Sequence, residues 1–555
     1  MVTIDVSKKD LENLVGKKFT GEELEKTLLF VKGEIDASDC DKLKLDIKDT
    51  NRPDLWSVEG IARELRARIG MEKGLPKLKA QKGKTRVIVK ESVKGTRPYI
   101  VGAVIRNVRI TDEFLEQLIQ LQEKVGISYG KKRKEVGLGL YDFDKIKEPI
   151  YYVGFKPREL KYQPLEFDRE LFLDDILELH QKGKEYGHLI KGYEYYPIVI
   201  DSANNVCSMP PIINSEYTGK VTQDTKNIFI ESTGFQKKYV NTALNIMTAA
   251  FLERGCIVEQ VNIIDGKEKY STPNYAAKKA KVNLDTIRKI VGLKISNAEI
   301  KKLLERSRYN VKVKGNTAYV EYASYRQDIL HEMDIIEDVI MSLGYNELEL
   351  DPIRMHTFGA LREDTILVED IAELCVGLGL QEILTFTLTS LEKQVNKVGL
   401  EKEKLVEIAN PMSSEWAVFR KSLIPEILDF LGKNKNTEYP QNVFEIGKAL
   451  SIDESLETKV KEMLCLTIVL CGKNAEFNEL KRYLDAIAEH MGWKYSVKKV
   501  EHNTFKKGMV AALAFEDGRK GIIGELNQKI AKNFGLGQEI AILEIELASN
   551  KNSNY

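Results

Sequence analysis

The chain has 555 residues, enough for about three or four domains with cores of their own. Its 84 Lys+Arg balance its 84 Asp+Glu, which excludes a surface that holds nucleic acid everywhere and leaves only local patches for such contacts. No apolar run approaches the ~18 residues of a membrane span, and the opening Met1-Val2-Thr3-Ile4-Asp5 lacks the apolar centre of a signal peptide. The six cysteines, at 40, 207, 256, 375, 465 and 471, form no CxxC pair and have no histidine cluster nearby. That pattern argues against zinc and disulfides and for a reduced, cytoplasmic setting.

Residues 1–85 read as a first unit. Residues 3–6 alternate as a strand, and Thr20 with Glu23 makes a capping box for a helix carrying Leu24, Leu28 and Leu29. Leu43, Leu45 and Ile47 alternate again. A turn at residues 51–55 leads to a helix with Val58, Ile61, Ala62, Leu65 and Ile69 inside and Gly70 at its end. Residues 71–84, rich in Lys, Gly and Pro, read as a linker.

Residues 86–265 form a second unit, with a strand at 100–108 and a basic run at 131–134. Such a run is usually a solvated loop, and it can also meet phosphates. A buried strand is predicted at 197–201, a constrained loop at 208–214, and a strand at 228–234 that ends in polar groups. A helix follows with Val240, Leu244, Met247, Ala250 and Phe251 inside. Two polar clusters beside buried strands outline a pocket, although residue types alone favour ordinary loop groups that satisfy backbone.

Residues 270–347 form a third unit. It has a short helix capped by Asp285, a second helix with a capping box at Ser296 and Glu299, and a hairpin around residues 311–317. Its last helix carries the densest chemical signal. Met333, Ile336, Val339, Ile340 and Leu343 define a buried face over 332–343, closed by Gly344. Asp334, Glu337 and Asp338 are spaced i, i+3, i+4, so their carboxylates share one arc, and Asp328 lies one segment earlier. Four converging carboxylates match magnesium, which takes oxygen ligands. On spacing alone, a solvated face that complements the helix dipole is the stronger reading.

The fourth unit, residues 352–548, opens with a helix over 364–378 and an alternating strand at Leu384, Phe386 and Leu388. A helix around Leu480, Leu484 and Ile487 precedes strands at 509–515 and 540–547, and the residues from 548 on are polar.

Arg326-x-Asp328, Asp334, Glu337-Asp338 and Gly344-Tyr345 resemble the end of a characteristic domain in phenylalanyl-tRNA synthetase β subunits. Asp338 stands where some members carry Glu. The run from Asn51-Arg52-Pro53-Asp54-Leu55 to Gly60-Ile61-Ala62-Arg63-Glu64-Leu65 resembles that family's N-terminal domain. Asn410-Pro411-Met412, Phe419-Arg420-Lys421-Ser422-Leu423 and Phe444-Glu445-Ile446-Gly447 resemble its class II synthetase-like module. The likeness runs through nearly the whole chain in order and is to the shorter, archaeal or eukaryotic type.

The resemblance implies an α+β multidomain chain. Its parts would be an N-terminal α/β scaffold domain (1–85), a tRNA-editing domain (86–265), a winged-helix-like domain (270–347) and a class II synthetase-like antiparallel sheet module (352–548). It implies magnesium on Asp328, Asp334, Glu337 and Asp338. It also implies a catalytic α subunit in a two-α, two-β assembly, ATP as a substrate of that complex, and tRNA(Phe). The editing domain would hydrolyse mischarged tyrosyl-tRNA(Phe). There an ionised Glu231 would take the tyrosyl hydroxyl, Ser208 and Asn214 would hold the ester or terminal ribose, and Thr233 would orient water. Some relatives carry Asp at position 231.

Two departures bear on synthesis. The Phe-Arg-x-Glu string of class II enzymes reads Phe419-Arg420-Lys421-Ser422 here, and Gly535-Leu536-Gly537 is followed by no arginine. Both remove charge that phosphate binding needs, so residues 352–548 are expected to be a fold kept for assembly. The rivals are a stand-alone hydrolase of misacylated tRNA and a non-enzymatic nucleic-acid-binding protein, the latter opposed by the zero net charge.

Overall fold

The structure, a computed structural model, describes residues 2–39, 41–349, 352–353, 355–401 and 403–549. Cys40 and the polar tail from residue 550 lie outside the described residues. The chain is a mixed α+β protein with two compact units, Met1–Asp351 and Pro352–Tyr555.

The first unit begins with a three-stranded antiparallel sheet in which Lys42–Ile47 lies between Val2–Ser7 and Gly33–Asp39. Both halves of the Thr20–Glu23 capping box are formed. One apolar core runs from Ile4, Leu11, Leu45 and Leu65 through Val101, Leu118 and Phe251, so it crosses the linker expected at 71–84 without a break.

Ten strands form the main sheet. From one end the order is Ile213–Asn214, Val206–Met209, Tyr196–Ile200, Ile150–Phe155, Arg86–Val89, Ile257–Asp265, Tyr99–Arg106, Ile228–Gly234 and Val136–Asp142, with Glu268–Thr272 branching from Ile257–Asp265. Helix Lys237–Glu253 packs Val240, Leu244, Met247 and Phe251 into the core that this sheet shares. The twist inherent in extended L-residue chains accumulates over so many strands. Here it curls the sheet until its two ends meet. Asn214, at one end, donates from Nδ2 to the Leu140 carbonyl at the other, at 3.0 Å. The segment expected as a loop at 208–214 is a tight hairpin that pairs Ser208 with Asn214.

The last part of this unit is a three-stranded sheet, with Thr317–Tyr322 between Lys278–Asn283 and Asn310–Lys314, covered by three helices. Two expectations change here. Asn283, not Asp285, caps helix Leu284–Val291, because its side chain reaches the amides of Asp285 and Thr286. Helix Glu332–Leu343 is rotated from its expected setting: Met333 is 42% exposed, whereas Asp338 and Ser342 are buried beside Ile335, Ile336 and Val339. Polar partners from elsewhere in the unit make that burial tolerable.

The second unit is built on a seven-stranded sheet ordered Gln381–Glu382, Gln441–Ile452, Val460–Cys471, Ile540–Ser549, Lys520–Leu526, Phe505–Phe515 and Tyr495–Lys499. All pairs are antiparallel except the first. Alternate residues serve two cores, as the pleat requires: Val443, Val469 and Ile542 face one, Phe444, Ile468 and Leu543 the other. The strand expected through Leu384, Phe386 and Leu388 shrinks to Leu388–Thr389. Leu384 and Phe386 are exposed, and Phe386 packs edge-on against Trp416.

Candidate active site

A cavity of about 680 Å³ opens where the two ends of the ten-stranded sheet meet. Leu118, Leu138, Leu140, Met209 and Pro211 supply apolar wall, and Ser208, Asn214 and Glu231 contribute polar groups.

Glu231 sits mid-strand with Gly102 and Gly139 as its two cross-strand partners. A Cβ at Gly139 would lie 2.7 Å from Glu231 Oε1 and 2.2 Å from the Tyr141 hydroxyl, so only glycine leaves room for this pair. Tyr141 lies 2.9 Å from Glu231 Oε1 and 2.7 Å from Ser208 Oγ, which bridges the seam. Glu231 Oε2 is buried and has no hydrogen-bond partner. Burial pushes the Glu231 carboxyl up to about 7, against the Tyr141 hydrogen bond and the Arg97 charge. The group is therefore divided between acid and carboxylate near neutral pH, where the sequence suggested a fully ionised one.

Thr233 stands apart from the other three candidates. Its hydroxyl accepts from Arg97 Nε at 2.9 Å and its carbonyl from Arg97 Nη2 at 2.7 Å, and it does not line the cavity. Arg97 also donates to the Lys134 carbonyl, so it clamps the sheet beneath the site. Cys207 is buried next to Ser208, and burial pushes its thiol up to about 12, which leaves it a thiol. His180 lines the cavity, but its Nδ1 accepts from Lys182 N and its Nε2 donates to the Leu165 carbonyl.

Sequence reasoning missed Tyr141 and Arg97, and read Arg133 only as part of a basic run. The period-2 face shared by Gly139 and Tyr141 was the one available signal. Arg133 belongs to the basic run, where Lys131, Lys132 and Arg133 take φ of 49°, 55° and 63° in succession. Such left-handed residues normally occur singly, and runs of them store strain. The turn brings Arg133 Nη1 to the carbonyls of Pro211 and Ile212 at 3.2 and 3.0 Å, holding the hairpin tip against the cavity.

The acidic quartet is divided. Asp328 accepts from Arg326 Nε at 2.8 Å. Asp338 is buried among Arg68, Arg326 and the Tyr309 hydroxyl. Asp334 Oδ2 caps the helix by accepting from Leu330 N and His331 N, both at 2.7 Å. Glu337 Oε1 is 2.6 Å from Lys32 Nζ. Among the described residues no group of three or more His, Cys, Asp or Glu side chains is placed to hold a metal ion. What remains toward magnesium is the second oxygen of Asp334 and of Glu337.

Family models match along the chain: "Phenylalanyl tRNA synthetase beta chain CLM domain" over residues 352–547, "tRNA synthetase B5 domain" over 280–345 and "B3/4 domain" over 96–263. Fold and site thus define a protein of the aminoacyl-tRNA synthetase class. The phenylalanine–tRNA ligase beta subunit of Pyrococcus horikoshii is 43% identical over 551 residues, 99% of each chain. That of Archaeoglobus fulgidus is 34% identical over 502 residues, 90% of each. A crystal structure of an N-terminal fragment of the Pyrococcus horikoshii phenylalanyl-tRNA synthetase beta subunit aligns with a TM-score of 0.61 at 47% identity, covering 62% of this chain and 100% of the fragment. The chain belongs to the phenylalanine–tRNA ligase β-subunit family.

Proposed function

We propose that this β subunit works with an α subunit, in a two-α, two-β assembly acting on tRNA(Phe), and that the cavity at the sheet seam hydrolyses tyrosyl-tRNA(Phe). The observation that carries the reading is Glu231, which lines a cavity with apolar walls and keeps one buried carboxylate oxygen, Oε2, without a partner among the described residues. Tyrosine differs from phenylalanine by one hydroxyl, and an apolar synthetic pocket rejects such an addition by only about a hundredfold. In the cavity a tyrosyl hydroxyl donates to Oε2. A phenylalanyl ring leaves that oxygen unpaired, at a cost of about 1–3 kcal/mol. Hydrolysis then falls on the wrong ester.

Cys207 stays a thiol and both His180 nitrogens are engaged, so neither offers a nucleophile or base. Water attacks the ester carbonyl, the bond to the ribose oxygen breaks, and a proton passes to that oxygen. Ser208 and Asn214 hold the ester or the terminal ribose, and Thr233 acts only through Arg97. The test is deacylation of preformed tyrosyl-tRNA(Phe) by the assembled ligase. Glu231→Ala is expected to abolish it while phenylalanylation stays within about twofold. Unchanged deacylation would remove Glu231 from the site.

Synthesis with ATP is assigned to the α subunit, in the cytoplasm, and residues 352–548 to assembly as a class II-like module. Supporting this, Arg420, in the place of a phosphate-gripping arginine, is buried against Glu445 at 2.7 Å. Residues 86–265 are proposed as the editing domain and 270–347 as a winged-helix-like one. Magnesium is proposed at Asp334 and Glu337, with Asp328 and Asp338 of the original quartet serving to hold Arg326. When bound, the ion would bridge the first two turns of helix Glu332–Leu343.

A further inference from the structure

Two features at the seam go unused by a reading in which Glu231 alone recognises a hydroxyl. The Tyr141 hydroxyl touches both Ser208 and Glu231, with one proton to give. Gly139 is kept free of any side chain at the point where these groups meet. One oxygen of Glu231 is occupied and the other bare. When Glu231 is a carboxylate, the Tyr141 proton goes to Oε1, because the charged acceptor makes the stronger bond. The Tyr141 oxygen then accepts the Ser208 proton, and the Ser208 lone pairs are left toward the cavity.

We propose that Tyr141 is the positioning residue that sets the side-chain selectivity of this cavity: by occupying Glu231 Oε1 and drawing the Ser208 proton, it leaves these two side chains as acceptors, so that the cavity favours aminoacyl esters whose side chain carries a hydroxyl donor. The proposal rests on the ester-hydrolysis reading above. Ring packing is separable from this role, since the Tyr141 ring stacks on Phe229 at 5.7 Å and a phenylalanine would keep that contact. Around Glu231 stand Arg97 from the segment before Tyr99–Arg106, Tyr141 from Val136–Asp142, Tyr152 from Ile150–Phe155 and Cys207 from Val206–Met209. Burial pushes the two phenols and the thiol up, so they stay neutral, and Arg97 stays charged. Glu231 is the group among these that titrates near pH 7.

The experiment measures deacylation of tyrosyl- and phenylalanyl-tRNA(Phe) by the assembled ligase from pH 5.5 to 8.5, with uncatalysed hydrolysis subtracted. The wild type is expected to hydrolyse the tyrosyl ester with a rate that rises through about pH 7 as the acceptor ionises. Tyr141→Phe removes the hydrogen bond that lowers the Glu231 carboxyl. It is therefore expected to move that midpoint up by about one unit, and to cut tyrosyl kcat/KM about tenfold or more at pH 7 while phenylalanyl hydrolysis stays unchanged. Ser208→Ala, which cuts the far end of the chain, is expected to move the midpoint the same way by less, and it serves if Tyr141→Phe does not fold. An unmoved midpoint and unchanged selectivity in the folded variants would overturn the role of Tyr141 while leaving the hydrolysis reading intact. A wild-type ligase that does not hydrolyse tyrosyl-tRNA(Phe) would instead overturn that reading, and this inference with it.

Discussion

Arg68 Nη2 lies 3.0 Å from Asp338 Oδ1, a pair 270 residues apart in sequence with both side chains buried. Arg326 Nη2 and the Tyr309 hydroxyl hold the other oxygen of Asp338, at 2.8 and 2.6 Å. Arg52 joins the same network through Asp54 and Glu64, and Arg68 also reaches Glu64. The string from Asn51 to Leu65 and the acidic helix are thus two halves of one ion-pair network. Removing one partner of a buried pair strands the other's charge, which costs about 3–5 kcal/mol. Asp338→Ala is expected to destabilise the chain by that amount in urea unfolding followed at the first transition. Glu337→Ala, at a side chain 48% exposed, is expected to cost under about 1 kcal/mol. Equal losses would mean that the network does not behave as buried.

The pH dependence follows from the same charges. Arg68, Arg326 and Arg52 hold the Asp338 carboxyl below its ordinary value, and Arg52 and Arg68 bring Glu64 down to about 2, both against the opposing effect of burial. A lowered carboxyl contributes stability that is present above its unfolded value and is lost as pH falls through the folded one. The first unit is therefore expected to lose stability steadily from about pH 4.5 toward pH 2. Glu231 runs the other way. Its raised value favours the fold below about 4.5, and that contribution is lost as pH rises through 7. Glu231→Gln is expected to gain stability relative to the wild type at pH 8 compared with pH 4.5, as read by denaturant midpoints.

Metal content tests the divided quartet. In the assembled ligase, Asp334→Asn and Glu337→Gln are each expected to lower retained magnesium, measured by mass spectrometry of the eluted metal. Glu332→Gln, on the same first turn, is expected to leave it unchanged. Equal metal in all three would leave the two outward carboxylates as a helix cap and a Lys32 partner only.

Phenylalanine-dependent ATP–pyrophosphate exchange tests the second unit. The chain alone is expected to show none, and addition of the α subunit is expected to supply it. Robust exchange by the chain alone would place a synthetic site here despite the Arg420–Glu445 pair.

Local signals carried far along this sequence. The Thr20–Glu23 box and the helix after the Asn51 turn need only neighbours within a few residues, and both formed. The losses share one cause, a partner far along the chain. The i, i+3, i+4 spacing of Asp334, Glu337 and Asp338 correctly puts them on one side of a helix, yet it cannot reveal that Arg68 waits to bury one of them. Alternation could place Gly139 and Tyr141 on one face of a strand. It could not say that the strand's free edge would close upon the hairpin carrying Ser208. Leu384 and Phe386 alternate as a strand should, but among the described residues no strand pairs with them.

Arg420 also reaches Thr385 Oγ1 and the Lys448 carbonyl, and a Cβ at Gly447 would come within 2.3 Å of its guanidinium. Ser422 Oγ donates to both oxygens of Glu544, a part-buried carboxylate. Arg420, which keeps the arginine of the synthetic pattern, and Ser422, which departs from it, are therefore both tied into the module's own packing. A glutamate at position 422 would set two carboxylates face to face in a part-buried space, and Arg420 could bind a phosphate only by abandoning Glu445. Each step toward ATP chemistry loosens the fold before any activity rewards it. The packing around Arg420 and a phosphate grip at the same arginine thus exclude one another.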